Sequence, residues 1–296
     1  MDQVASGNGA ALLRRGFRVP PYLLLILPAV TFMLLMYAYP FVSSFVRSFL
    51  DSSGRLSFAN YAKTWDLYLK DSLFTFGVTA FSAAVTAVLS MLLAVYLRFR
   101  AGAIARLMGA LYKLPIFIPF VVVAQMMTSF LAPHGLLNLS LAKLGLINLD
   151  YPLQLFNFWG LSFGFAWKMI PFATLIIFGG LQMIDNSYIE AARSAGARLF
   201  TVISRILVPM SGSSIMVAVV LVYSQIVGTF TLPYMLIGGK IPTTITVDIA
   251  HRVNYFRDFG VANTLGVFSY VLVLGTAIYY LRSQARTIAQ GRQVAR

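Results

Sequence analysis

Six stretches of the chain are almost continuously apolar and are separated by short polar breaks: residues 22–45, 72–97, 107–131, 156–181, 213–237 and 261–281. Each meets the roughly 20 residues a helix needs to cross about 30 Å of hydrocarbon. A helix closes its backbone hydrogen bonds internally, and none of these stretches alternates as a membrane barrel would. The pattern therefore predicts an all-α transmembrane fold with six helices. Residues 22–281 form one membrane domain, with a segment 1–21 before it and a basic tail 282–296 after it.

Arg14, Arg15 and Arg18 precede the first run, as in a secretory signal. The run is longer than a signal core and ends in Tyr39-Pro40-Phe41 rather than at a small-residue cleavage site, so it reads as a retained first helix. Between the third and fourth runs, the apolar residues of Leu136 to Leu149 are spaced for a helix lying flat at the interface, and the same surface could receive a partner. Asn138-Leu139-Ser140 is a sequon by chance on this reading.

Composition agrees: 59% of residues are hydrophobic, 11% are charged and mean hydropathy is +0.79. The net charge of +14 would suggest nucleic-acid binding in a soluble protein, but here its distribution decides the matter. With the N-terminus inside, fourteen of the 23 basic residues fall in cytoplasmic segments, among them Arg98, Arg100, Arg106, Lys113, Arg193, Arg198 and Arg205. The positive-inside rule then places both termini in the cytoplasm and explains the charge by orientation and anionic lipid, with no nucleic acid needed. No cysteine is present, and His134 and His251 are too far apart in sequence to suggest a metal site, so none is expected.

The segment from Asp185 to Pro209, DNSYIEAARSAGARLFTVISRILVP, is too polar to cross lipid yet strongly helical. Asp185 and Asn186 suit a helix cap, the alanines favour helix, and Gly196 permits a sharp bend. Glu190-Ala191-Ala192, three residues, Gly196, nine residues and Ile206-Leu207-Val208-Pro209 together resemble the EAA loop of type I binding-protein-dependent ABC importer permeases. Val208 departs mildly from the family's usual Ile-x-Leu-Pro ending. The resemblance extends over nearly the whole chain. It implies a non-catalytic subunit whose loop is a coupling helix, with Glu190, Ala191, Ala192 and Gly196 carrying transmission. It further implies two ATPase subunits that bind ATP and Mg, a second permease chain (related or identical), an external solute-binding protein and a bacterial inner membrane location.

No G-x-x-x-x-G-K-[ST] occurs, so nucleotide chemistry must come from a partner. Lys168 lies near the middle of the fourth run, where a cation must be paired or hydrated. It either has a structural role or lines the path of a polar or anionic solute. Tyr223, Gln225 and Thr229, with Ser224 and Thr231, could line the path or simply pack helices. Pro115, Pro119 and Pro171 are expected to kink spans. Gly160-Leu161-Ser162-Phe163-Gly164 matches a nucleophile elbow, but it opens an apolar helix with no base nearby and reads as small-residue packing. A secondary transporter or channel is the rival reading, and it would have no use for a docking loop. Thr229–Gly239 looks more like the polyamine, opine and phosphonate branch than the maltose branch, while sugars and other small polar or anionic solutes stay open.

Overall fold

The computed structural model describes residues 21–294 apart from 52, 239 and 241, with side chains from 25 to 282. The expected cytoplasmic segment with Arg14, Arg15 and Arg18 lies outside the described residues. The chain divides into two units, Met1–Arg47 and Ser48–Arg296.

In the first unit, α1 (Pro21–Met33) passes through a π turn, Leu34–Ala38, into α2 (Tyr39–Ser48). The turn has a local cause. Pro40 has no N–H to donate and its ring crowds the carbonyl four residues back, so the helix widens one turn earlier, where the Tyr39 N–H bonds the Leu34 carbonyl.

The second unit begins with α3 (Ala59–Phe99), a helix of 41 residues and therefore about 60 Å long. The predicted span 72–97 is only its membrane-length part, since α3 continues thirteen residues beyond it at the N-terminal side. Its buried face is small and hydroxylated, with Thr75, Thr79, Ser82, Thr86 and Ser90 all buried. That face packs along α7 (Phe158–Gln182), where small residues let two helix backbones approach. Inside the bundle, Phe165, Leu161, Met169, Ile177 and Leu181 of α7 form the centre of the apolar core.

The third predicted span is not continuous. It breaks into α4 (Ala103–Leu111), a 3-10 turn at Leu114–Phe117 and α5 (Phe120–Leu131). Two prolines, Pro115 and Pro119, withhold two helical donors within five residues, and the backbone cannot close the ladder between them. The predicted interfacial helix is shorter than expected: α6 (Leu136–Lys143) stops before Gly145, whose φ of +71° turns the chain away. The sequon residue Asn138 is fully buried and holds this corner, donating to the Ala132 and Leu153 carbonyls and accepting from the Leu153 N–H.

After α7 come α8 (Asn186–Ser194), α9 (Leu199–Val202), a π turn at Ile203–Leu207 and α10 (Val208–Met210). This π turn again lies just before a proline, Pro209. The run from Leu199 to Met210 meets α11 (Gly212–Gly228) at 69°. The fifth predicted span, 213–237, also needs correction: α11 ends at Gly228 and α12 (Thr231–Ile237) is a separate helix. The chain closes with α13 (Ile245–His251), a π turn at Arg252–Phe256 and α14 (Phe259–Val294), so helix extends through the predicted tail as far as Val294. Among the described residues, five helices are long and apolar enough to span a membrane, and the bent pair makes six if it is counted as one span.

Candidate functional site

Two places in the second unit carry the predicted functional residues. The first is the loop after α7. Asp185 caps α8 by accepting from the Ser187 N–H at 2.8 Å. That bond, with a second from the Ser187 side chain, holds its carboxyl below the usual carboxylate range. At the other end, Gly196 sits at φ +84°, the Gly196 N–H bonds the Arg193 carbonyl and the Ala197 N–H reaches back to the Ala192 carbonyl at 2.9 Å. These paired bonds form a Schellman stop, which needs a left-handed residue at that point. Gly196 therefore sets the bend between α8 and α9.

The predicted coupling residues separate by face. Glu190, Ala191 and Gly196 are exposed, whereas Ala192 is half-buried and packs against the core cluster, as does Ala197. Ala192 thus seats α8 on the bundle, and the outward surface is made by Glu190 and Ala191. The same stretch of chain exposes apolar residues, with Met183 87% and Phe200 79% exposed and Tyr188 also exposed. Arg98, at the end of α3, donates to the Ile184 carbonyl at 2.8 Å and to Asn186 Oδ1 at 2.6 Å. A displacement of α8 therefore acts directly on the longest helix in the bundle.

The second place lies where the third span breaks. Lys168, only 8% exposed, donates to the carbonyls of Pro115 at 2.7 Å, Ile116 at 3.3 Å and Ile118 at 2.6 Å. Its ammonium also lies 5.3 Å from the Phe120 ring centre. Lysine has three donors, and all three are used on carbonyls of the proline-broken turn, of which that of Pro115 also accepts from the Ile118 N–H. A cleft of about 270 Å³ opens beside it, lined by Ile118, Phe120, Lys168, Phe172 and Gln225. Lys168 and Gln225 are thus brought together. Thr229 is one turn beyond Gln225 and donates to the Gln225 carbonyl, while its own carbonyl accepts from Thr246. Tyr223 faces the other way, 5% exposed in the apolar core, and does not join the cleft. Sequence reasoning missed the carbonyls of 115–118 and Phe120. The signal was present as two prolines opposite a lysine in the middle of a span.

The Gly160–Gly164 motif lies within α7 as packing. A side chain at Gly160 would strike the Leu155 carbonyl, and one at Gly164 would press Leu232 at 3.2 Å. His251 makes ring contacts with Tyr234 and Tyr255, and among the described residues no three His, Cys, Asp or Glu side chains group to hold a metal.

Residues 86–287 match the family described as binding-protein-dependent transport system inner membrane component. Among curated proteins, the chain is 26% identical over 278 residues to the trehalose/maltose transport system permease protein MalF of Thermococcus litoralis, covering 88% of this chain and 92% of that one. It is 29% identical over 116 residues to the spermidine/putrescine transport system permease protein PotB of Haemophilus influenzae, covering 39% of each. Among solved structures, a bacterial alginate ABC transporter in complex with an alginate pentasaccharide-bound periplasmic protein aligns with a TM-score of 0.76 at 19% identity, over 90% of this chain and 94% of that one, which establishes a shared fold.

Proposed function

We propose, from the premise that this chain belongs to the binding-protein-dependent transport system inner membrane component family, that its 185–209 loop seats an ATP-hydrolysing partner and its Lys168–Gln225 cleft touches the solute. The chain is a multi-pass permease subunit of an ATP-driven importer and is itself non-catalytic. The finer reading places it in a bacterial inner membrane with both termini in the cytoplasm. Two ATPase subunits carry ATP and Mg, a second permease chain, identical or related, completes the path, and an external binding protein delivers the solute.

The observation that carries the coupling reading is the outward surface of α8. Glu190 and Ala191 stand exposed in a stretch of chain that also exposes Tyr188, Phe200 and Met183, on a helix capped at both ends and clamped to α3 by Arg98. Exposed apolar residues together with a small residue and one carboxylate suit a surface that receives another protein. When the ATPase pair closes, α8 moves as a rigid peg, and α3 and α7 follow it as levers. Lys168 holds the broken third span against α7, so that motion reaches the cleft.

For the solute we favour a neutral or acidic carbohydrate. Phe120 and Phe172 offer apolar faces, Gln225 an amide, and Lys168 a positive charge with no carboxylate beside it. A polyamine would meet repulsion there. The trehalose/maltose relative aligns along most of both chains and supports the same choice. The polyamine reading rests on the Thr229–Gly239 segment and the shorter spermidine/putrescine match.

The test is co-purification of the chain with its co-expressed ATPase, followed by uptake in proteoliposomes with the binding protein supplied. Association in the wild type and its loss in Glu190→Lys and Gly196→Asp is the expected outcome. An unaltered complex in both variants sinks the coupling assignment. Uptake of labelled spermidine in preference to maltose or an oligouronate would replace the carbohydrate reading by the polyamine one.

A further inference from the structure

Where α3 turns into α4, a cleft of about 480 Å³ opens against Phe178 of α7. Its chemistry is divided. Leu97, Ala105 and Phe178 supply half-buried or buried apolar walls, while Arg100, Arg106 and Lys113 line it with exposed cationic side chains. The local sequence builds this arrangement. Gly102, at φ +129°, reverses the chain within three residues of α3, and α4 returns with Gly109 beside Leu97. Arg106 on α4 and Lys113, just past its end, both line the cleft.

Among the described residues no acidic side chain neutralises this cluster. No acidic residue lines the cleft, and among the described residues none of the three cations forms an ion pair. The first turn of α4 carries no side-chain cap, so its positive end adds to the same field. Three like charges around one cavity repel one another unless an anion sits among them. The apolar walls continue onto Ile104, Leu107 and Leu111, all exposed on α4. An anion attached to hydrocarbon fits both halves, whereas a free anion uses only one.

We propose that this cleft binds an anionic phospholipid, with the phosphate held by Arg100, Arg106 and Lys113 and an acyl chain along Leu97, Ala105 and Phe178. Basic pockets between membrane helices are suited to such headgroups, and the long stems of Arg and Lys reach them from the helix surface. The site adjoins the coupling machinery. Arg98, which clamps the start of α8, is two residues from Arg100, so a bound lipid braces the strut on which the 185–209 loop rests. The binding step does not depend on the importer reading, and its readout below involves neither transport nor nucleotide.

The experiment uses the assembled transporter in phosphatidylcholine vesicles, with spin-labelled phosphatidylglycerol and spin-labelled phosphatidylcholine compared at the protein boundary. The wild type is expected to prefer phosphatidylglycerol. Arg106→Gln alone should weaken that preference about five-fold, matching the contribution of one cation near an anionic headgroup. Arg100→Gln/Arg106→Gln/Lys113→Gln should bring it to parity, and Arg100→Lys/Arg106→Lys should keep most of it. If the triple variant fails to fold, the single and lysine variants decide. Equal preference in the wild type and Arg106→Gln overturns the proposal. So does a preference present in the isolated chain and absent from the assembled transporter, which would give the cleft to a partner subunit. Displacement of the labelled lipid by inorganic phosphate assigns the cleft to a soluble anion instead and equally overturns it.

Discussion

At the end of the bundle where α3 begins, α3, α13 and α14 are joined by a closed set of polar contacts. Asp71 Oδ1 accepts from the Thr243 N–H at 2.8 Å, and Thr75 Oγ1 accepts from the Ile245 N–H at 3.0 Å. Arg252 donates to the Tyr68 hydroxyl, and Asp258 pairs with Lys63 at 2.6 Å and Arg252 at 3.4 Å. At the opposite end, α8 is held by Arg98 and its own caps, and Glu190 makes no hydrogen bond or ion pair among those described. One end of the protein uses these charged and polar groups in holding itself together, although Asp248 Oδ2 and Thr243 Oγ1 there have no hydrogen-bond partner among the described residues. The other keeps a rigid backbone but leaves its side chains available, which is the condition for receiving a partner without first breaking internal bonds.

The largest test of that contrast is Glu190→Lys. Because the side chain is exposed and unpaired, thermal stability in detergent should change by less than about 0.5 kcal/mol. Reversing a charge inside a protein interface costs about 2–5 kcal/mol, so ATPase association should fall by at least about ten-fold. A variant that both unfolds and dissociates would show that Glu190 holds the chain itself, and the contrast between the two ends would collapse.

The opposite pattern is expected at the other end. Asp71→Ala leaves the buried Thr243 N–H without an acceptor, at about 1–3 kcal/mol. The midpoint of thermal unfolding should drop while ATPase association persists in the folded fraction. Unchanged stability would mean that the 243–245 segment is held by packing alone.

How much of this could be read beforehand varies with the physics involved. Hydropathy marked the apolar stretches in which the five candidate spans and the bent pair of the described residues lie, because transfer into lipid is a bulk property of side chains. It could not locate the interruptions at Pro115–Pro119 or Gly228–Thr231, since an apolar residue looks the same whether or not its backbone is hydrogen-bonded. It also shortened α3, because residues 59–71 leave the apolar run without leaving the helix. In the 185–209 loop the residue types pointed to a cap at Asp185 and a bend at Gly196, and the fold has both. Which alanine faces outward depends on where the bundle lies, and Ala192 proved to be the inward one. Lys168 needed acceptors by elementary electrostatics, but only the folded chain brings the carbonyls of residues 115–118 to it. Tyr223 was grouped with Gln225 as a polar residue on one helix, although two residues apart on a helix is two different faces.

A smaller effect tests the bend at the end of α8. Gly196→Ala meets no neighbouring atom within 4 Å, so its cost is confined to the left-handed backbone, about 1–2 kcal/mol. Coupled ATPase activity should fall more than global stability, because the strain is released by reorienting α8 relative to α9. Equal losses in both would argue that the Schellman stop supports the fold rather than the angle at which α8 is presented.

The subtlest expected effect appears only as pH changes. Asp248, 5% exposed and with one carboxylate oxygen unpartnered, lies on α13 outside the spans, facing Asp71 and Tyr68 of α3 with Arg252 one turn away. Burial, and then the charge of Asp71, push its carboxyl up to about 8 against the pull of Arg252. For a raised acid the sign is definite. Its contribution to stability is complete below the ordinary value of 3.8, where folded and unfolded chains both hold the proton. It is lost as pH rises towards 8, because the unfolded chain releases the proton more readily. Asp258 works in the other direction. Burial raises it, but the Lys63 and Val261 hydrogen bonds and the nearby charges outweigh burial and hold it below the usual range, so its contribution is lost only as pH falls through the acid region. The wild type should therefore lose thermal stability from about pH 5 to pH 8, and Asp248→Asn should flatten that decline and be the more stable chain at pH 8. A slope identical in both proteins would place the titration elsewhere. It would leave the α3–α13 contact as a set of backbone bonds to Asp71 and Thr75, with Asp248 a bystander.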